Sequence, residues 1–244
     1  MFPISRIGVI TDVHANLPAL QAVLQALEDE GCDAVVHTGD VVGIGPHPAE
    51  CLDLLLESGA EFVLGNHDAY FAFGLGDGPF DADGAAHHRW THEQLDPALR
   101  SVVGAWPWEI WIPREITGGQ WLLFTHYGRE DGRFKPPPKI GATPSAAVLD
   151  DVFAGIAADV VFYGHDHAAF DGTGDRRYVN PGSVGCFSRA EARFAIVDAD
   201  PGGLRVAHRS VPYDDRSVFE DLERRRVPQR DEIRQVFLPR DQRP

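Results

Sequence analysis

Basic residues are scarce. The chain of 244 residues has 22 Lys and Arg against 37 Asp and Glu, a net charge of −15. That balance argues against a broad basic face, so strong nucleic-acid binding is not expected. Phosphate chemistry stays open, because bound cations reverse the sign locally. Cysteine is scarcer still: Cys32, Cys51 and Cys186 are scattered and odd in number. With no CxxC pair, they predict neither a disulfide framework nor a zinc–thiolate site. No apolar run is long enough to span a bilayer. The N-terminal residues lead straight into a strand-like segment with no signal-peptide pattern, and no repeat or low-complexity tract interrupts the chain. The expectation is one reduced, cytoplasmic domain with no membrane partner. Nothing in the sequence sets an oligomeric state.

What is present is a series of short apolar runs that each end in metal-ligand residues. Arg6–Ile10 reads as a buried strand ending in Asp12 and His14. A helix follows, with Asn16 as N-cap, Pro18 in its first turn and Gly31 as its stop. Ala34–Thr38 reads as a parallel strand ending in Gly39-Asp40. Gly43-Ile44-Gly45 lacks the third glycine of a dinucleotide loop. A second helix spans Pro48–Ser58. Phe62–Leu64 is the third strand and delivers Gly65-Asn66-His67-Asp68. Residues 69–108 are polar, with a loop over 74–84 and helices over 85–95 and 97–103, and read as a cap over one end of the sheet. Strands over 110–112 and 121–125 follow, the second ending in His126. A stiff proline loop spans 135–139, and a helix spans 145–156. The strand Val160–Tyr163 ends in Gly164-His165-Asp166-His167. Strands over 177–180, 194–198 and 204–211 complete a core over about residues 4–211. Residues 214–244 read as a helical arm on the surface, its arginines a solvated face.

Asp12, His14, Asp40, Asn66, His126, His165 and His167, together with His67 and Asp68, form a set of carboxylate, amide and imidazole without thiolate. Such a set suits borderline divalent ions: manganese first, with iron, zinc or nickel as other fits. There are too many donors for one ion and about enough for two, so one carboxylate must be shared. Paired ions ~3.5–4 Å apart are the usual clamp for hydrolysis at phosphorus. Any one of these motifs alone is a common turn or a satisfied polar residue; their repetition at five strand ends carries the argument.

Asp-x-His, Gly-Asp, Gly-Asn-His-Asp, His and Gly-His-x-His, in this order from Asp12 to His167, resemble the calcineurin-like metallophosphoesterase superfamily. Gly43–Pro46, Arg89–Leu95 and Asn180-Pro181-Gly182-Ser183 are similar to its small prokaryotic phosphodiesterase branch. The resemblance implies an α/β sandwich of two mixed sheets flanked by helices. It implies one ion on Asp12, His14, Asp40 and His167 and another on Asp40, Asn66, His126 and His165, with a hydroxide between them attacking phosphorus. His67 would assist the leaving oxygen, and Asp68 would orient His67 through its other ring nitrogen. Two departures stand out. The fourth motif reads His126-Tyr127-Gly128-Arg129 where the branch often has His-Gly-Ser-Pro, which makes Tyr127 and Arg129 candidate pocket residues. Asp68 and Val41-Val42-Gly43 disfavour the protein phosphatase branch, which usually has Gly-Asn-His-Glu and an Arg after the second motif. Arg189 is a further candidate for phosphate. His47, and one of His87 and His88, are weighed as substrate-facing against packing roles; His37, His92 and His208 read as structural or surface residues.

The expected function is a two-metal phosphodiesterase acting on a small-molecule phosphate ester. Its rivals are a phosphomonoesterase or dinucleoside polyphosphate hydrolase, a nuclease, and a metal-binding scaffold that hydrolyses nothing. A scaffold would need neither an intact His67 nor a complete ligand set. Profiling the metal-defined protein against diesters, monoesters and dinucleotides separates the enzymatic readings.

Overall fold

The computed structural model of the chain describes residues 6–76, 81–135, 143–200 and 203–239. Its strands are β1 (Arg6–Ile10), β2 (Ala34–His37), β3 (Glu61–Phe62), β4 (Glu109–Ile112), β5 (Leu122–Thr125), β6 (Arg129–Glu130), β7 (Arg133–Phe134), β8 (Val160–Phe162), β9 (Phe170–Thr173), β10 (Arg177–Asn180), β11 (Glu191–Asp200) and β12 (Gly203–Pro212). The helices are α1 (Leu17–Asp29), α2 (Pro48–Ser58), α3 (Asn66–Phe73), α4 (Ala82–Glu93), α5 (Leu99–Val103), α6 (Ala146–Val152), α7 (Arg216–Arg224) and α8 (Arg230–Val236). One five-stranded sheet runs β12-β11-β1-β2-β3 and a second runs β4-β5-β8-β10-β9, with β6 and β7 forming a separate hairpin. Both sheets are mixed: β1, β2 and β3 are parallel, as are β5, β8 and β10, while β11, β12, β4 and β9 join antiparallel. This is the α/β sandwich that the motif order implied.

Period-2 alternation builds the sandwich. On β1, Ile7 and Val9 face Phe124 and Phe162 of the other sheet in a buried layer shared with Val36, Val160, Val179 and Val197. Ile10 points the other way, into a cluster with Leu20, Val23 and Leu27 of α1 and Leu52 and Leu55 of α2. Helical spacing on α1 supplies that face, and Gly8 lets it come close: a Cβ there would lie 2.4 Å from Leu27 Cδ2. Leu149 and Phe153 cover the outer face of the second sheet against Leu123, Val161 and Tyr178.

Several expectations are corrected. Asn66, His67 and Asp68 are not a turn after a strand but the first turn of α3. β3 is short because Leu64 N–H leaves the sheet and donates to Pro107 O at 2.8 Å. α4 starts ahead of Ala85 because Asp81 Oδ1 accepts from Gly84 N–H and caps it. Strand β9 and the β6–β7 hairpin were not foreseen. The proline loop, from Pro136 on, lies outside the described residues.

The C-terminal arm differs most from its expected character. Val218 and Leu222 of α7, four apart, are fully buried, and Val227, Ile233 and Leu238 join them around Ile44 and Cys186. Arg225 donates to Pro46 O at 2.9 Å and pairs with Glu50. Asp221 Oδ2 lies 2.9 Å from His47 Nε2. The arm is a roof over the loop that follows Asp40, with its charges turned partly inward.

Candidate metal centre

Parallel pairing puts the C-terminal ends of β1, β2, β3, β5 and β8 at one edge, where open α/β sheets place their sites. The candidate ligands sit just beyond those ends. Five of them have left-handed backbone: Asp12 (φ 52°), His14 (46°), Asp40 (65°), His165 (71°) and His167 (63°). Such turns fold ligand side chains back over the edge, at a cost of order 1–3 kcal/mol each for non-glycine residues. Asp and His tolerate this region better than most.

Asp40 is at the middle. Its Oδ1 accepts from His67 N–H at 2.8 Å. Its Oδ2 lies 3.3 Å from His126 Nε2 and 3.8 Å from His14 Nε2. On one side, His14 Nε2 and His167 Nε2 face each other at 2.9 Å, and Asp12 Oδ1 is 3.7 and 3.8 Å from them. On the other, His126 Nε2 is 3.1 Å from both Asn66 Oδ1 and His165 Nδ1. His14, Asp40 and His67 form one group of donors close enough to hold an ion; Asp40, His126 and His165 form another; His14, His167 and Cys186 form a third.

The hydrogen bonds fit such a role. Thr38 O can only accept, so His126 Nδ1, at 2.8 Å from it, carries the ring proton. That leaves Nε2 facing Asp40 and Asn66 oxygens, an arrangement satisfied by a bound cation or, without one, by a proton on Nε2. A backbone carbonyl behind a ligating imidazole is the usual orienting device. Burial, with His167 next, holds His14 well below the ordinary imidazole value. Burial and His126 do the same to His165, and burial takes His167 down to about 3. Neutral imidazoles are the ligand form. Burial also lowers His126, but Asp40 and Asp12 overcome this and raise it to about 9. Burial lifts Asp12 to about 7. For Asp40 burial acts upward, yet His126 and His67 outweigh it and hold the carboxyl low.

The structure brings all seven expected ligands together, and His67 with them. His67 meets His14 edge-on at 5.0 Å and His88 at 5.1 Å, with Tyr70 closing the same wall. Of the two cap histidines, His88 therefore faces the site. His87 does not: it links Ile44 N–H, which donates to Nε2 at 2.9 Å, to Pro228 O, which accepts from Nδ1–H at 3.0 Å. Gly43 (φ +88°) backs His67; a Cβ there would lie 2.2 Å from His67 Nδ1.

Other assignments change. Asp68 does not touch the His67 ring, whose Nδ1 has no hydrogen-bond partner. Its carboxylate accepts from the N–H groups of Asp40 (2.8 Å), Val41 (3.0 Å), Val42 (3.3 Å) and Gly65 (3.1 Å). It holds the Asp40 loop. Tyr127 is buried against Phe153 and the His165 ring and supports that ligand from behind. Arg129 stacks on Trp108 at 3.8 Å, and its neighbour Phe134 packs on His126 and His165. Arg189 is 59% exposed beside Glu191. The arginine that reaches the candidate ligands is the half-buried Arg193, which donates to His167 O at 2.7 Å. His47 meets the arm through Asp221, not the site.

Arg193, Asn180, Ser183 and Cys186 were missed as site residues. Asn180 Nδ2–H donates to Gly164 O and Asp166 Oδ1 at the turn carrying both late histidines. Ser183 Oγ–H donates to Asp12 O at 2.8 Å. Arg193 is set two residues into β11, where no local pattern marks it.

Nitrogen and oxygen donors drawn from both sheets at one edge are the architecture of a metal-dependent hydrolase. Sequence comparison narrows this: residues 6–202 match the model of the calcineurin-like phosphoesterase superfamily domain, and the chain belongs to that superfamily. A relative, the protein MJ0912 of Methanocaldococcus jannaschii, is 29% identical, covering 92% of this chain and 95% of that one. The crystal structure of protein PH1004 from Pyrococcus horikoshii OT3 superposes with a TM-score of 0.77 at 21% identity, over 96% of this chain and 98% of that one. A metallophosphoesterase from Sphaerobacter thermophilus gives 0.68 at 26% identity, over 92% and 95%. The superfamily uses divalent metals, and the chain is a hydrolase of the phosphoesterase class. Among the described residues no helix is long and apolar enough to cross a membrane.

Proposed function

We propose that the chain is a two-metal phosphodiesterase acting on a small phosphate ester. The observation that carries this reading is the position of Asp40 Oδ2, between the His14–His167 side and the His126–His165 side. Asp12, His14, Asp40 and His167 would hold one ion, and Asp40, Asn66, His126 and His165 the other. When bound, such ions polarise phosphoryl oxygens and supply an activated water.

The chain's own residues do the rest. Asp68 fixes the Asp40 loop, so the shared carboxylate needs no reorganisation. His67 presents its ring toward the open wall made with Tyr70 and His88, where a leaving oxygen would gather charge. Phe134, backed by Trp108, covers His126 and His165 on one side. The flanking arginines are engaged: Arg193 with the carbonyls of His167, Ser183 and Cys186, and Arg129 with Trp108 and Gly132 O. A singly charged diester suits such a site better than a doubly charged monoester, which calls for free guanidinium groups. The relative from Sphaerobacter thermophilus, named a metallophosphoesterase, supports the same class.

Elemental analysis of the folded protein at saturating Mn²⁺, followed by profiling on diesters, monoesters and dinucleotides, tests the proposal. Two ions per chain and a preference for diesters are expected. Asp40→Asn should weaken both sites and His167→Ala mainly one. A maximum near one ion per chain would refute the two-metal reading.

A further inference from the structure

Cys186 was read as one of three scattered thiols, yet the fold seats it at the metal centre. It is 5% exposed and has no disulfide partner. Its Sγ and ring nitrogens of His14 and His167 all lie within 4.8 Å of one another. Donor atoms ~2.1 Å from one ion at right angles are about 3 Å apart, and a sulfur ~2.3 Å from that ion lies about 3 Å from a nitrogen at right angles to it and about 4.4 Å from one opposite it. The 2.9 Å between His14 Nε2 and His167 Nε2 matches the right-angle value, and the sulfur, no more than 4.8 Å from either nitrogen, is close enough to join them on one ion.

The segment carrying the thiol is held firmly against the Asp12–His14 turn. Gly185 N–H donates to Asp12 O at 3.0 Å, and Val184 N–H to Thr11 O at 3.0 Å. Asn16 Nδ2–H donates to Gly185 O at 2.9 Å, and Cys186 N–H to Ser183 Oγ at 2.7 Å. The approach is so close that a Cβ on Gly185 would lie 1.9 Å from Val13 O. A cysteine that only filled space under the arm would need no such register, although buried thiols often do just that.

We propose that Cys186 is a sulfur donor to the ion on Asp12, His14 and His167. This rests on the two-metal reading above. On binding, the thiol S–H bond breaks, the proton leaves to solvent, and the sulfur lone pair forms the bond to the ion. A thiolate makes this half of the centre softer than the Asn66–His126–His165 half. It shifts the preference there from manganese toward zinc or iron(II), and the two halves differ in metal.

The metal-free full chain is loaded with Co²⁺, with bound cobalt counted by elemental analysis and the near-ultraviolet thiolate-to-cobalt band recorded. The band is expected in the wild type, in C32S and in C51S, and lost in C186S. In C186S, Zn²⁺ affinity at one site should fall at least about tenfold, the loss that removing even an outer-shell partner brings, with Mn²⁺ affinity changed less. X-ray absorption of the zinc-loaded wild type, which does not depend on the variant folding, should show one sulfur at ~2.3 Å. Two bound cobalt ions without the band, a band that survives C186S, or zinc without sulfur would overturn the role of Cys186 and leave the two-metal reading standing. Failure to bind cobalt at all would overturn both.

Discussion

Asp68→Asn separates two jobs that one carboxylate can do. In the structure Asp68 accepts four backbone N–H groups, two on each oxygen, from Asp40 and Gly65 and from Val41 and Val42. An amide keeps one acceptor oxygen and turns the other position into a donor. Whichever way it flips, two buried N–H groups face an NH₂. Each unsatisfied group costs about 1–3 kcal/mol, so the loss is roughly 2–6 kcal/mol, reduced somewhat by removing a negative charge next to Asp40. The strain falls on the Asp40 backbone, so both metal sites should weaken. The expected outcome is a lower urea midpoint for the metal-free protein and weaker metal binding by calorimetry. At saturating metal, the fall in kcat should be equal for alkyl and nitrophenyl diesters. Unchanged stability and metal affinity, with a kcat loss confined to the alkyl substrate, would refute the argument and return Asp68 to orienting His67.

His67→Asn should leave metal content nearly unchanged and lower kcat about 10²–10⁴-fold on an alkyl diester. The loss should be much smaller on a nitrophenyl ester, whose phenolate leaves unaided; loss of an ion would instead make His67 a ligand, as its place beside His14 and Asp40 allows. His87 is a pH-sensitive latch between the Ile44 loop and the arm: burial holds it down to about 4, and its Nε2 must accept a hydrogen bond. Its folded value is below its unfolded one, so its contribution is complete above about pH 6.5 and is lost as pH falls toward 4, about 3 kcal/mol in all. The drop in urea midpoint of metal-free protein from pH 7 to pH 5 should therefore be smaller in H87Q than in the wild type; equal drops would refute the latch. Leu222→Ala, on the buried face of the arm, should cost roughly 2–5 kcal/mol, measured by the same denaturation.

The meeting of the candidate ligands at one edge was legible because strand ends and motif residues coincide: an apolar run followed by Asp, His or Asn can be read without knowing the sheet order. The helices α1 and α2 were legible through Asn16, Pro48 and their leucine spacing. What failed depended on partners distant in sequence. Asp68 stands next to His67, so adjacency suggested an orienting role, but three of its four bonds go to residues 26 to 28 positions earlier. Tyr127 and Arg129 follow His126 and were read as pocket residues, yet alternation sends Tyr127 into the core and Trp108 captures Arg129. The arm looked solvated because Arg, Asp and Glu are mixed all along it, while the i, i+4 pair Val218 and Leu222 is too short a signal to outweigh them. Cys186 was dismissed for lacking a CxxC partner, a test that cannot see histidines 172 and 19 residues away.

The left-handed backbone at Asp12, His14, Asp40, His165 and His167 has a consequence for the protein's history under mutation. Five such residues together hold several kcal/mol of conformational tension, a large share of the ~5–15 kcal/mol by which a domain is stable. Glycine relieves that tension at any of them, at the cost of the buried side chain's contacts and a more disordered unfolded chain, so a change such as His14→Gly should unsettle the metal-free chain less than loss of a buried ring usually does, while removing a candidate donor. Random search for thermostable variants, if scored without metal or substrate, puts little weight on keeping these five side chains. Ions bound there would restore that weight, because they would stabilise only the cage that glycine dismantles. Selection for stability and selection for activity therefore agree in this chain only while the metal is present.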